Sequence, residues 1–164
     1  MITKAFFPRA LIPAAITVVR LVDFLVSALV LLALMLYYGV GAGWGILMLP
    51  LLVAQTTLLT LGVGLWFSVA IVKHRDVGTL LPVLLQVWMF ASPVIYPSRL
   101  VPEGWRWVYS LNPLVGIIEG CRAALFGLAF DWAEMAVSAA LTLSLFVYFV
   151  RAFHSMEENL VDGI

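Results

Sequence analysis

Residues 97–131 read PSRLVPEGWRWVYSLNPLVGIIEGCRAALFGLAFD, and this stretch decides the fold. It follows an uncharged run, residues 77–98, of the length that crosses a bilayer, yet it lacks the composition of a solvated loop. It carries Trp105, Trp107, Tyr109, Phe126 and Phe130, with only six charged side chains in 35 residues. Neither half reaches the ~20 mostly apolar residues that a crossing helix needs. Backbone that enters a membrane without crossing it must be buried in protein or line a watery cavity. Pro102-Glu103 reads as a first helical turn, with an acid at its positive end. Asn112-Pro113 repeats the device, Asn112 as N-cap and Pro113 at N1. Two short helices are expected, over residues 102–110 and 113–126. Gly116, Gly120 and Ala124 form a small-residue stripe on the second, and Glu119 and Arg122 are spaced to pair. An amphipathic pair lying on the outer surface is the alternative, but the proline-broken exit Ser92-Pro93 to Tyr96-Pro97 favours a chain that turns back into the membrane.

Outward from this stretch the chain is apolar. Hydrophobic residues make up 64% of the 164 and charged ones 11%, with a mean hydropathy of +1.10. Soluble domains carry about 25% charged residues, so the composition is that of an integral membrane protein. Residues 24–72 hold 49 positions without a charge, and Gly39, Gly41, Gly43 and Gly45 divide them into spans at 21–38 and 46–72. Further spans are expected at 77–96 and 132–153. The last has 16 uncharged residues between Glu134 and Arg151, so its flanking charges must snorkel. The reading is one all-α integral membrane domain over residues 1–164: four transmembrane helices plus an extracytoplasmic re-entrant helix pair.

Lys4, Arg9, Arg20, Lys73, Arg75 and Arg151 fall at one set of span ends, against Arg99, Arg106 and Arg122 at the other. The positive-inside rule then puts both termini in the cytoplasm. Trp44, Trp105, Trp107 and Trp132 fit the outer interface and Trp66 the inner one. Arg20 and Asp23 are placed to pair at the inner end of the first span.

On the third expected span Thr79, Pro82, Gln86, Phe90 and Pro93 recur at helical spacing. This face should look into protein or a cavity, since lipid cannot satisfy Gln86 or the carbonyl that Pro82 leaves free. Ordinary helix packing with one bonded Gln reads the same pattern equally well. The turn Lys73-His74-Arg75-Asp76 is either a charge anchor or a partner contact. Zero net charge gives no basic surface for nucleic acid. A single cysteine excludes an internal disulfide, no His/Cys/carboxylate cluster suggests a metal, and no phosphate loop ending in GK[ST] is present.

The landmarks come in a recognisable order. Phe6-Phe7-Pro8-Arg9 and Leu11-Ile12-Pro13 precede the first span. Arg75-Asp76-Val77 opens the third and Ser92-Pro93-Val94-Ile95-Tyr96-Pro97 closes it. Leu111-Asn112-Pro113-Leu114, Cys121-Arg122-Ala123 and Glu157-Glu158-Asn159-Leu160-Val161-Asp162 follow. The chain resembles the type-2 ABC exporter permeases that move lipid-linked polysaccharides such as O-antigen, capsule and teichoic acid.

The resemblance implies a homodimeric permease in the cytoplasmic (inner) membrane. A separate ATP-binding cassette subunit would bind and hydrolyse the ATP, so this chain itself would need no cofactor. A cytoplasmic coupling segment is implied over residues 1–17, with Lys4 and Arg9 towards the ATPase, and residues 154–164 form a cytoplasmic tail. External gate helices are implied over residues 97–131, with Asn112, Pro113, Glu119 and Arg122. A channel lined for stacking on sugars would use Gln86, Trp88, Phe90, Tyr96, Trp105 and Trp107. On this resemblance the chain corresponds to the C-terminal part of a six-span permease and lacks the N-terminal part. A permease for a drug, haem or another lipid, a membrane enzyme of glycan assembly and a non-transporting structural subunit are the alternatives.

Overall fold

A computed structural model describes residues 11–39 and 43–161. The described chain is helical: α1 (Leu11–Tyr37), α2 (Leu49–Lys73), α3 (Arg75–Phe90), α4 (Glu103–Tyr109), α5 (Pro113–Phe126) and α6 (Trp132–Val161), with 3-10 turns at Trp44–Met48 and Ser98–Leu100. Three stretches are long and apolar enough to cross a membrane: Ala14–Tyr37, Trp44–Lys73 and Trp132–Ser155. They correspond to the first, second and fourth expected spans. The first begins earlier than expected, because helix α1 already includes residues 11–17 of the stretch read as a coupling segment. Lys4, Arg9 and the middle of the glycine-rich turn lie outside the described residues.

The third expected span, residues 77–96, is not a continuous crossing helix. α3 has 16 residues, which rise ~24 Å against a hydrocarbon core of ~30 Å. It stops at Phe90 because Pro93 disfavours helical backbone at Ser92 and brings no N–H of its own. Residues 91–97 continue as turns, so Pro93 leaves the helical face shared by Thr79, Pro82, Gln86 and Phe90.

The tightest packing joins α2, α5 and α6. Gly62 of α2 lies against Phe146 and Phe149 of α6; a Cβ there would sit 3.3 Å from both rings. The Trp66 and Phe149 rings are 5.7 Å apart. α5 fits between these two helices because its expected stripe is bare. A Cβ on Gly116 would come within 2.5 Å of Ser138 Cβ and 2.8 Å of the Glu134 carbonyl, and one on Gly120 within 3.1 Å of Leu52. Ala124, next along the stripe, is fully buried. Gly127, at φ 65°, ends α5 in the left-handed conformation that glycine adopts without strain.

The packing sets the depth of α5. Ser138 lies two turns into α6, about 9 Å beyond Trp132, and its hydroxyl donates to the carbonyl of Pro113, the first residue of α5. Trp44 and Trp132 open the two neighbouring spans, and a Cβ on Gly45 would touch both Ala124 and Phe130. α5 therefore begins well inside the slab defined by α2 and α6 and climbs to its edge.

Candidate functional site: the broken third helix and the α4–α5 hairpin

Where α3 ends, its last carbonyls and the turns after it need partners that water cannot supply at this depth. The side chain of Asn112 supplies them. Its Nδ2 donates to the Ala91 carbonyl at 3.2 Å and to Ser92 Oγ at 2.8 Å. Its Oδ1 accepts from Trp88 Nε1 at 3.1 Å and from the Leu114 backbone N–H at 3.1 Å. The last of these is the N-cap of α5, as the Asn-Pro pair predicts. All four hydrogen-bonding positions of one amide are used. Ser92, fully buried, also donates to the Trp88 carbonyl at 2.8 Å.

A second clasp holds the turns higher up. Glu119 and Arg122 pair at 2.6 Å. The same Glu119 oxygen accepts the Ser98 N–H at 2.9 Å, and Arg122 donates to the Pro93 carbonyl at 3.0 Å. One turn of α5 thus ties down both ends of the Pro93–Ser98 segment. The four residues read as gate residues, Asn112, Pro113, Glu119 and Arg122, all lie on this one helix end or face, against the segment that closes the third span.

Residues read as channel-lining divide into two groups. Trp88 and Trp105 meet, with Tyr109, Asn112 and Pro113, around one cavity of about 530 Å³. Gln86 and Phe90 lie elsewhere: two positions from Trp88 is about 200° around a helix, and both are exposed, beside exposed Thr79 and Pro82. α3 packs on α2 alone among the helices it touches extensively, so this face is left uncovered by the described chain. Trp107, 70% exposed, lies outside the cavity. Tyr96 is outside it too, its hydroxyl donating to the Phe90 carbonyl at 3.0 Å and its ring 6.3 Å from that of Tyr109. α4 lies outside the three spans, and burial pushes the phenol of Tyr109 above its ordinary pKa, with Tyr96 adding to the effect. The Tyr109 hydroxyl is closed off from solvent and makes no hydrogen bond of ordinary geometry, although Tyr96 lies close.

One polar cluster was not anticipated from sequence. Gln55 of α2 donates to Ser138 Oγ at 2.9 Å and to Thr142 Oγ1 at 3.3 Å, and both hydroxyls are fully buried in α6. Gln55 is one of four side-chain amides in the chain, and a lone amide in a 49-residue uncharged run was the available signal. Among the described residues no group of three or more His, Cys, Asp or Glu could hold a metal ion.

In its sequence the chain matches a known family. The ABC-2 type transporter model matches residues 2–126. The chain belongs to the ABC-2 type transporter family. It is 28% identical over 167 residues to the O-antigen export system permease protein RfbA of Myxococcus xanthus, covering 100% of this chain and 64% of that protein. The RfbA protein of Klebsiella pneumoniae is 27% identical over 126 residues, covering 74% of this chain and 48% of its own length. The polysialic acid transport protein KpsM of Escherichia coli is 31% identical over 101 residues, covering 57% and 39%. The chain thus spans less than two thirds of the length of these relatives. No solved structure matches it. An all-α integral membrane protein of the ABC-2 type is therefore established, with three helices of crossing length among the described residues.

Proposed function

We propose that this chain is a transmembrane permease subunit of an ABC exporter that moves lipid-linked polysaccharide across the cytoplasmic membrane. The observation that carries the reading is the cavity where Trp88, Trp105 and Tyr109 surround the Asn112 amide. Aromatic faces stack on sugar rings without reading one hydroxyl pattern, which suits a polymer that must slide. The names of the O-antigen and polysialic acid relatives support the substrate class. ATP would be hydrolysed by a separate cassette subunit, which Lys4 and Arg9 would meet at the cytoplasmic surface.

The uncovered α3 face, with Gln86 and Phe90, supports a second permease copy as the partner that completes the channel. With Lys73 and Arg151 near one set of span ends and Arg99, Arg106 and Arg122 near the other, the α4–α5 hairpin lies on the extracytoplasmic side and both termini in the cytoplasm. There the Pro93–Ser98 segment acts as the external gate, held against α5 by Asn112, Glu119 and Arg122.

The test is polysaccharide export in cells dependent on this permease, with captured ATPase as the control for assembly. Trp105→Ala lowers export while ATPase capture is unchanged. Trp88→Phe keeps the ring, and retains more export than Trp88→Ala. Export unaffected by Trp105→Ala and Trp88→Ala together sinks the cavity as the path.

A further inference from the structure

A second cavity, of about 420 Å³, lies on the opposite side of α4 from the aromatic one and shares only Tyr109 with it. Arg99, Arg106, Tyr109 and Ser110 line one wall and Asp131 and Glu134, at the start of α6, the other. We propose that it binds the headgroup of a zwitterionic phospholipid carrying a primary ammonium, phosphate on the arginines and ammonium on the carboxylates.

Charge pairing comes first. The ion pairs among the described residues are Arg20–Asp23 and Glu119–Arg122. Arg99, Arg106 and Glu134 thus line one space without reaching ion-pair distance of each other. Asp131 spends one oxygen on the Glu134 backbone N–H, at 3.1 Å. Two guanidinium groups offer forked donors that match a phosphate. Two carboxylates offer acceptors for an ammonium, and they disfavour a ligand that is anionic only. A quaternary ammonium has no N–H to give them.

Depth comes second. The cavity is bounded by the first turns of α6, and Trp132 at the start of α6 and Trp107 on α4 are both at least 61% exposed. Tryptophans in that setting mark the headgroup level of a bilayer. Ala133 and Val137 also line the cavity, and they are exposed on the side of α6 away from Ser138 and its partners. The described chain leaves that side uncovered, which favours a lipid headgroup over a passing sugar.

The test is native mass spectrometry of the purified chain in detergent. It is titrated with phosphatidylethanolamine, phosphatidylcholine and phosphatidylglycerol of the same acyl composition. The expected result is a preference for phosphatidylethanolamine of about tenfold, the worth of one charge-assisted hydrogen bond. Arg106→Ala and Glu134→Gln should each abolish it, Arg106→Lys should keep part of it, and Arg20→Ala should leave it unchanged. Equal binding of the three lipids, or a preference that survives both charge-removing variants, overturns the proposal. Displacement of the lipid by a soluble neutral oligosaccharide also overturns it, and would assign the cavity to the glycan.

Discussion

The α2–α5–α6 block and the α1/α3 flank are made of the same apolar residues but are held in different ways. In the block, glycines let backbones approach to within one methyl group, and hydroxyls and an amide cross-link the helices at Gln55, Ser138 and Thr142. On the flank, α1 carries a row of half-exposed or more exposed residues, from Val18 and Val22 to Leu29 and Leu36. Between α1, α2 and α3 runs an apolar groove of about 570 Å³. Inside lipid there is no hydrophobic gain from pressing two apolar helices together, so close packing and hydrogen bonds decide which helices stay fixed. The block has both and the flank has neither to the same degree. The block is the scaffold, and the flank is surface that the described chain does not cover.

Four substitutions sharpen or break this contrast. Gly116→Leu should have the largest effect. Its first carbon already collides with Ser138 and the Glu134 carbonyl, so overpacking costs about 3 kcal/mol or more and folded protein in detergent should be largely lost. Normal thermal stability there would mean that α5 is not wedged as described. Asn112→Asp comes next. It keeps the acceptors for Trp88 and Leu114 but loses both donors, and it puts a charge at membrane depth, for about 2–3 kcal/mol. A cysteine placed at Val94 should then react faster with a water-soluble maleimide, and an unchanged rate would remove Asn112 from the clasp. Gln55→Leu should cost only about 0.6 kcal/mol, the mean for such bonds in membranes, because Ser138 keeps Pro113 and Thr142 keeps the Ser138 carbonyl. A loss exceeding that of Gly116→Leu would reverse the ranking of packing over polar cross-links. Arg20→Ala, on the flank, breaks an exposed pair at 3.3 Å and should shift the thermal midpoint by no measurable amount.

Local chemistry was legible in the sequence and facing was not. Asn-Pro at 112–113 announces a cap and a helix start, and the structure has both. The bare stripe at Gly116, Gly120 and Ala124 announces a close approach, and α5 makes one. The end of the third helix was misjudged by six residues, since hydrophobicity continues through Val94 and Ile95 while Pro93 ends the helix. Hydropathy reports where lipid is tolerated, and backbone hydrogen bonds decide where a helix can run. Trp88 and Gln86 were read together because both suit a channel wall. Their 200° separation is a fact of the helix, but which side meets α4 depends on Asn112 reaching back across the break. Gln55 was missed because its partners are 83 and 87 residues away, and no periodicity spans that distance.

The bare stripe on α5 also limits how an opening could occur. With Gly116 and Gly120 filled to contact by Ser138 and Leu52, α5 can neither roll nor slide without lifting off α6 altogether. It serves as an anvil. Any displacement at this end of the molecule falls to the parts clasped against it, the Pro93–Ser98 turns and the short α4, which can be released one hydrogen bond at a time. The hinge is then in the irregular chain, and the helix that looks like the door is its frame.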